Sequence, residues 1–239
     1  MPGSDKSPQL KRHIMVIGNP LKNASIMLLI GVAAFATSSG FSKDAKAETY
    51  ILKAKYHVGE IHDYAIQTAI YGVTGDNRAV GIRFDMRMHV ISVSPNRSTI
   101  RVAASAPKSG KTELPSPYKP ATVVLDQWNR PIGTSTGGQI FTSYPNHPIK
   151  VGDQWNGTSN LMLGTNKGAT LDTAYKLNSV QTYKGRQIAE LTMKLGGLAS
   201  GEGTELIDLA DGSLLSSDMN LKVNQGKKIP VQIVLKRQY

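Results

Sequence analysis

Apolar and polar residues alternate one for one in segment after segment from residue 50 to residue 237, and this period of two is the strongest constraint on the fold. In "RFDMRMHV" (83–90), Phe84, Met86, Met88 and Val90 alternate with Arg83, Asp85, Arg87 and His89. "IAELTMKL" (188–195) sets Ala189, Leu191, Met193 and Leu195 against Glu190, Thr192 and Lys194. "YILKAKYHV" (50–58), "MNLKVN" (219–224) and "VQIVLKR" (231–237) follow the same rule. Successive side chains of a strand point to opposite faces, so each segment reads as a strand with one dry and one wet face. Turn residues separate them: Gly75-Asp76-Asn77, Ser94-Pro95-Asn96, Lys184-Gly185, Asp211-Gly212 and Gln225-Gly226. Beyond the leader no stretch carries a helical period. The expected fold is all-β: a curved antiparallel sheet or barrel-like sandwich built from two related halves, after an N-terminal signal peptide.

The leader sets the expected compartment. Lys6, Lys11, Arg12 and Lys22 precede the apolar run "IMLLIGVAAFA" (26–36), which is shorter than the ~20 residues that cross a bilayer. A polar stretch and "AKA" (45–47) follow, with small residues Ala45 and Ala47 at −3 and −1. This pattern predicts a secretory signal peptide over residues 1–47, cleaved after Ala47, and export to the periplasm or cell exterior. An uncleaved anchor is the competing reading. The whole chain carries +11 and has no cysteine. Zero cysteine excludes disulfides, thiolate metal sites, a cysteine nucleophile and a lipid-modified cysteine. The mature part keeps +7 by the same count, which suits anionic envelope partners, and export argues against nucleic acid.

The mature chain writes several features twice in the same order. "HVGE" (57–60) matches "KVGD" (150–153), "VISVSPNR" (90–97) matches "LNSVQTYKGR" (177–186), and "LDQWNRPI" (125–132) matches "IDLADGSL" (207–214). A tandem β unit is therefore expected. The divisions read from the sequence are a first unit at 48–104, a Pro/Ser/Lys-rich loop at 105–120, a hairpin and connection at 121–148, and a second unit at 149–239. Gly59 and Gly152 would turn the chain through positive φ, and Glu60 and Asp153 would accept backbone N–H groups there. Asp126 and Asp208 would serve the tight turns that follow them.

The succession "YILKAKYHVGEIHDY", "PNHPIKVGDQWNG", "TAYKLNSVQTYKGRQIAELTMKL" and "GEGTELIDLADGSLLSS" resembles a family of exported bacterial β-rich proteins carried as domains of unknown function, over most of residues 50–224. That resemblance implies no established activity and no catalytic residues. More distantly the pattern is similar to the half-barrel lipoprotein carriers of the LolA and LppX type. The resemblance to those carriers implies a curved antiparallel sheet that encloses acyl chains.

Motifs that suggest chemistry lack their contexts. "GTSTG" (133–137) fits G-x-S-x-G with Ser135 as nucleophile, but no helix follows and no acid lies between Ser135 and His147, the one downstream histidine. "SAPK" (105–108) has no helix to hold Lys108 beneath Ser105. "GEG" (201–203) lacks a phosphate cradle and reads as a hairpin tip. His57, His62 and His89 would bind a metal only if they converged, and surface histidines are the simpler reading. No catalytic residue, metal or cofactor is expected.

The candidate site is therefore the apolar face itself: Phe84, Met86, Met88, Leu191, Met193 and Met219, with Trp128 and Trp155 beside two repeated turns. Methionines suit a pliable pocket and equally fill core gaps. The expectation is a non-catalytic envelope protein that binds a lipid, or another hydrophobic or amphipathic ligand, on a concave sheet. The alternative is a structural or adhesive surface protein with a closed core and a basic face for anionic polymers.

Overall fold

The structure, a computed structural model, describes residues 48–73, 78–116, 119–133, 142–161 and 169–239. The expected signal peptide with Ala45 and Ala47, and Ser135, lie outside the described residues. All described residues belong to one compact unit, Lys46–Tyr239.

Twelve strands form one antiparallel sheet. They are β1 (Ile61–Ile70), β2 (Val80–Ser94), β3 (Arg97–Ala104), β4 (Lys108–Ser109), β5 (Thr112–Glu113), β6 (Ala121–Asp126), β7 (Gln154–Leu161), β8 (Ala169–Tyr183), β9 (Arg186–Gly196), β10 (Ala199–Asp208), β11 (Leu214–Gln225) and β12 (Lys227–Gln238). β1, β2, β3 and β6 pair in that order, and β7, β8, β9 and β10 repeat the meander. The β11–β12 hairpin joins β10 to β1. The small β4–β5 pair extends the edge of β2 through Arg83 and Lys108. The sheet does not close into a barrel. Among the described residues no helix is long and apolar enough to cross a membrane.

The two meanders agree bond for bond at their entrances. Gly59 N–H donates to Val90 O, and Val90 N–H to Glu60 O; Gly152 N–H donates to Leu177 O, and Leu177 N–H to Asp153 O. Glu60 accepts the His57 N–H and Asp153 the Lys150 N–H. Gly59 and Gly152 sit at φ 84° and 98°, where a glycine avoids the Cβ clash of other residues. A register shift follows in each long strand, between Val90 and Ser92 and between Leu177 and Ser179. The β8–β9 hairpin is longer than β2–β3, so Ile188, not Arg186, takes the sheet position of Arg97.

Inward residues of all ten strands of the two meanders and the joining hairpin enter one core. A sheet this wide can share a single core only by curling around it. The filling comes from the chain's own crossing segments. Leu52 and Ala54 come from the segment before β1; Tyr144 and Ile149 come from the segment before β7. Paired hydrogen bonds between Tyr50 and Ile149 join the two segments. Residues 50–58, expected as a strand, form none beyond that bridge, because the segment lies across the sheet and its bonds go to turns: Ala54 N–H to Gln127 O and Lys55 N–H to Asp211 O. Val58, placed on the dry face by parity, is 66% exposed at a turn. "GEG" is not a hairpin tip but the middle of β10. A Cβ on Gly203 would lie 2.6 Å from Asp218 O, so β11 packs where a side chain would stand.

Candidate functional site

The eight apolar candidates fall on one continuous core. Met86, Met88, Leu191, Met193, Met219 and Trp155 are buried, and Phe84 and Trp128 are half-buried against the same cluster. Trp155 stacks on Tyr175, with centroids 5.4 Å apart, and its Nε1–H donates to Ser143 O at 2.9 Å. A void of about 10 Å³ lies beside these residues, lined by Met86, Met88, His62, Tyr56, Asn129 and Thr142 among others. That is room for one water molecule.

A seam of polar groups runs through this apolar interior. Tyr56 Oη donates to Asn129 Oδ1 at 2.8 Å, and Asn129 Nδ2 donates to Thr142 O at 3.1 Å. Thr142 Oγ1 donates to Glu205 Oε2 at 2.6 Å. Asn129 holds φ 60° at the turn after β6, which aims its side chain at Thr142. Glu205 stands on β10 between Leu191 of β9 and Ser217 of β11 and is 2% exposed. Burial pushes its carboxyl up to about 7, against the opposing pull of the Thr142 and Ser217 hydroxyls. No cation pairs with it among the described residues. Tyr144 donates through Oη to Gly212 O at 2.7 Å.

His62, at the start of β1, faces the void from the other side. Its Nε2 lies 2.9 Å from Glu60 Oε1, off the direction of a ring N–H, and Nδ1 has no protein partner. Burial holds its pKa below the ordinary value, helped by the Arg237 guanidinium and opposed by Glu60. Burial also raises Tyr56 and Tyr64, so both phenols stay neutral. Arg237 Nη1 donates to Ser213 Oγ at 2.6 Å.

The arrangement supplies a buried acid and a buried imidazole with the Tyr56–Asn129–Thr142 chain between them. Acid–base work needs both groups to reach one reacting atom, and a void the size of one water does not provide that. His57 and His89 are exposed whereas His62 points inward, so the three histidines do not converge. No group of three or more His, Asp or Glu able to hold a metal occurs among the described residues. Ser105 accepts the Asp85 N–H through Oγ, and Lys108 sits in β4.

The seam was missed in the sequence because its members come from five segments. One signal was present: Gly203, Glu205 and Ile207 share a parity, which puts an acid on the dry face of β10.

At this point the chain is defined as an all-β protein with a curled, internally filled antiparallel sheet. Residues 126–229, from the end of β6 into β12, match the sequence model of a family described as "Family of unknown function (DUF6263)". No curated protein and no solved structure matches the chain.

Proposed function

We propose that the mature chain is an exported, non-catalytic envelope protein that works through its outer face, as a structural or adhesive protein with a closed core that holds anionic polymers. The observation that supports this reading is the filling of the curled sheet by segments 50–56 and 142–149. The surface that a carrier of the LolA type would offer to acyl chains is occupied here by Leu52, Ala54, Tyr144 and Ile149.

The outer face of β2 and its neighbours carries the charge this reading needs. Arg83 pairs in register with Lys108, and His89 with Arg101. Arg87 makes a two-point contact with Asp63, at 2.7 and 2.8 Å, and is the member of the strip that is already neutralised. A polyanion reads such a strip as spaced point charges, with strong salt dependence. Polyphosphate titrated against the mature protein should bind at low salt and release at high salt. Arg83→Glu with Arg101→Glu should weaken binding about tenfold or more. Unchanged binding in the double variant would remove the strip from the proposal.

The second reading, a hydrophobic ligand on the inner face, draws on Met86, Met88, Met193 and Met219, which belong to the one core and repack readily. Such a ligand must displace segment 142–149. Native mass spectrometry of the purified protein separates the readings: bare protein supports the closed core, and a co-purifying lipid supports the carrier.

A further inference from the structure

We infer that the end of the sheet bearing the two repeated turns is a docking surface for an anionic lipid bilayer. The inference shares the export of the proposed function but uses a different surface from the basic strip of β2.

The repeated turns carry the argument. Val58 and Val151 occupy the same place in the two meanders, beside Gly59 and Gly152, and are 66% and 52% exposed. The turn needs the glycine and the acid that follows it. It makes no demand for a β-branched apolar side chain pointing at water. An exposed valine written at both copies of one turn is a surface feature, not a folding one.

The surroundings extend the pattern. Gly59 binds β2 at Val90, so Val58 lies by the strand end that carries exposed Ile91 and Val93. The Tyr50–Ile149 bridge ties the approach to one turn to the approach to the other. The β8–β9 hairpin ends at the same side with Tyr183, which is 59% exposed and has Lys184 Nζ 5.3 Å from its ring centroid. Aliphatic side chains, a tyrosine and long cationic stems at one level form the composition that settles at the headgroup boundary.

The charges at this end are sorted. The carboxylates of the turns are engaged: Glu60 and Asp153 accept backbone N–H groups, Asp126 accepts from Trp128 and Arg130, Asp208 accepts from Ala210 and pairs with Arg186, and Asp211 accepts from Ser213. Arg97, Lys150 and Lys184 are exposed and enter no ion pair among the described residues. A surface whose anions are internally satisfied and whose cations are free complements an anionic membrane. A soluble polyanion would need the cations but would gain nothing from the valines.

The test is co-flotation of the mature protein with vesicles of phosphatidylcholine, with and without phosphatidylglycerol. The expected result is binding only to the phosphatidylglycerol vesicles. Val58→Asp with Val151→Asp should lower the partition coefficient about tenfold or more, and Val58→Ser with Val151→Ser should lower it less. Arg97→Glu with Lys184→Glu should also lower it about tenfold. Leu198→Asp, at the opposite end of the sheet, and the Arg83→Glu/Arg101→Glu pair should leave it unchanged. Thermal unfolding of each variant verifies that the fold survives. Absence of vesicle binding by the parent protein overturns the inference, as does binding that the valine variants leave intact. It is equally overturned if the valines prove to hold a dimer, seen as a parent dimer in sedimentation that the Asp variants dissolve. Polyphosphate binding that fails while vesicle binding holds would sink the polymer reading alone.

Discussion

The two meanders share a backbone pattern and divide their polar interior between them. With Gly59 matched to Gly152 and Val90 to Leu177, the partner registers match His62 to Trp155, since His62 lies across from Met88 and Trp155 from Tyr175. The same logic matches Val123 to Glu205, since Val123 lies across from Ile100 and Glu205 from Leu191. His62 in one half and Glu205 in the other are therefore buried titratable groups at places where the opposite half holds Trp155 and Val123. His62 and Glu205 end up at opposite ends of the Tyr56–Asn129–Thr142 chain. Duplicated backbone geometry survives such changes because the turn and register are set by main-chain bonds. The inward side chains need only fill space and satisfy their polar atoms.

The most damaging way to probe this comparison is at His62 and Trp155. Trp155→Ala removes a stacked ring and a hydrogen bond to the 142–149 segment, and should cost ~3–5 kcal/mol in denaturant unfolding. His62→Ala removes an edge-on contact with Tyr56, at 6.1 Å between centroids, and a ring with an unpartnered nitrogen. It should cost no more than ~2 kcal/mol. Equal losses at the two sites would mean that the halves use this position in the same way.

Glu205 and Val123 separate by pH. The carboxyl of Glu205 titrates at about 7 when folded, against 4.5 when free. Between those values the folded state holds the proton that the unfolded state releases. Stability is therefore full below about pH 4.5, falls as pH rises, and levels off above about 7, with a total loss of about 3 kcal/mol. Glu205→Gln should abolish that slope and leave the variant more stable than the parent at pH 8. His62 works in the other direction. Its lowered pKa means that its contribution is lost as pH falls below about 6.5, so the Gln variant should keep an acid-side limb. Urea midpoints across pH 4–9 would test both. A parent and a Gln variant whose midpoints change in parallel from pH 5 to 8 would mean that the carboxyl is not buried as described.

Parity in the sequence was enough to find β2, β9, β11 and β12, because the inward positions of 84–90, 189–195, 219–223 and 231–235 are filled without exception by Phe, Met, Val, Leu, Ile or Ala. It was not enough for β10. There Gly201 and Gly203 stand where β11 approaches too closely for a side chain, and Glu205 breaks the apolar alternation. It misplaced 50–58 for the opposite reason. Tyr50, Leu52 and Ala54 alternate because one side of an extended crossing segment faces the core, and a period of two does not distinguish that from a strand with neighbours. The apolar candidates were legible as a face, but whether that face was open depended on segment 142–149, whose "TSYPNHP" has no period to read. The hydrogen bonds from Thr142 and Tyr144 that lock it down join residues more than 60 positions apart.

The smallest effect sharpens the comparison most, because it isolates the backbone. Gly59 and Gly152 have no heavy atom within 4 Å of where a Cβ would stand. Replacing either by alanine changes only the cost of holding φ near +84° or +98°, which is about 1–2 kcal/mol for an L residue. The two variants should lose the same stability within about 0.5 kcal/mol, and the double variant should lose their sum, since the turns contact different strands. Asparagine, which tolerates the left-handed region better, should recover part of the loss at both sites. The two turns share the valine and the acid on either side of the glycine but differ farther out, His57 against Lys150 and Ile61 against Gln154. Matched losses would therefore assign the shared stability to the main-chain turn, and a large gap between them would show that the two turns hold the sheet by different means.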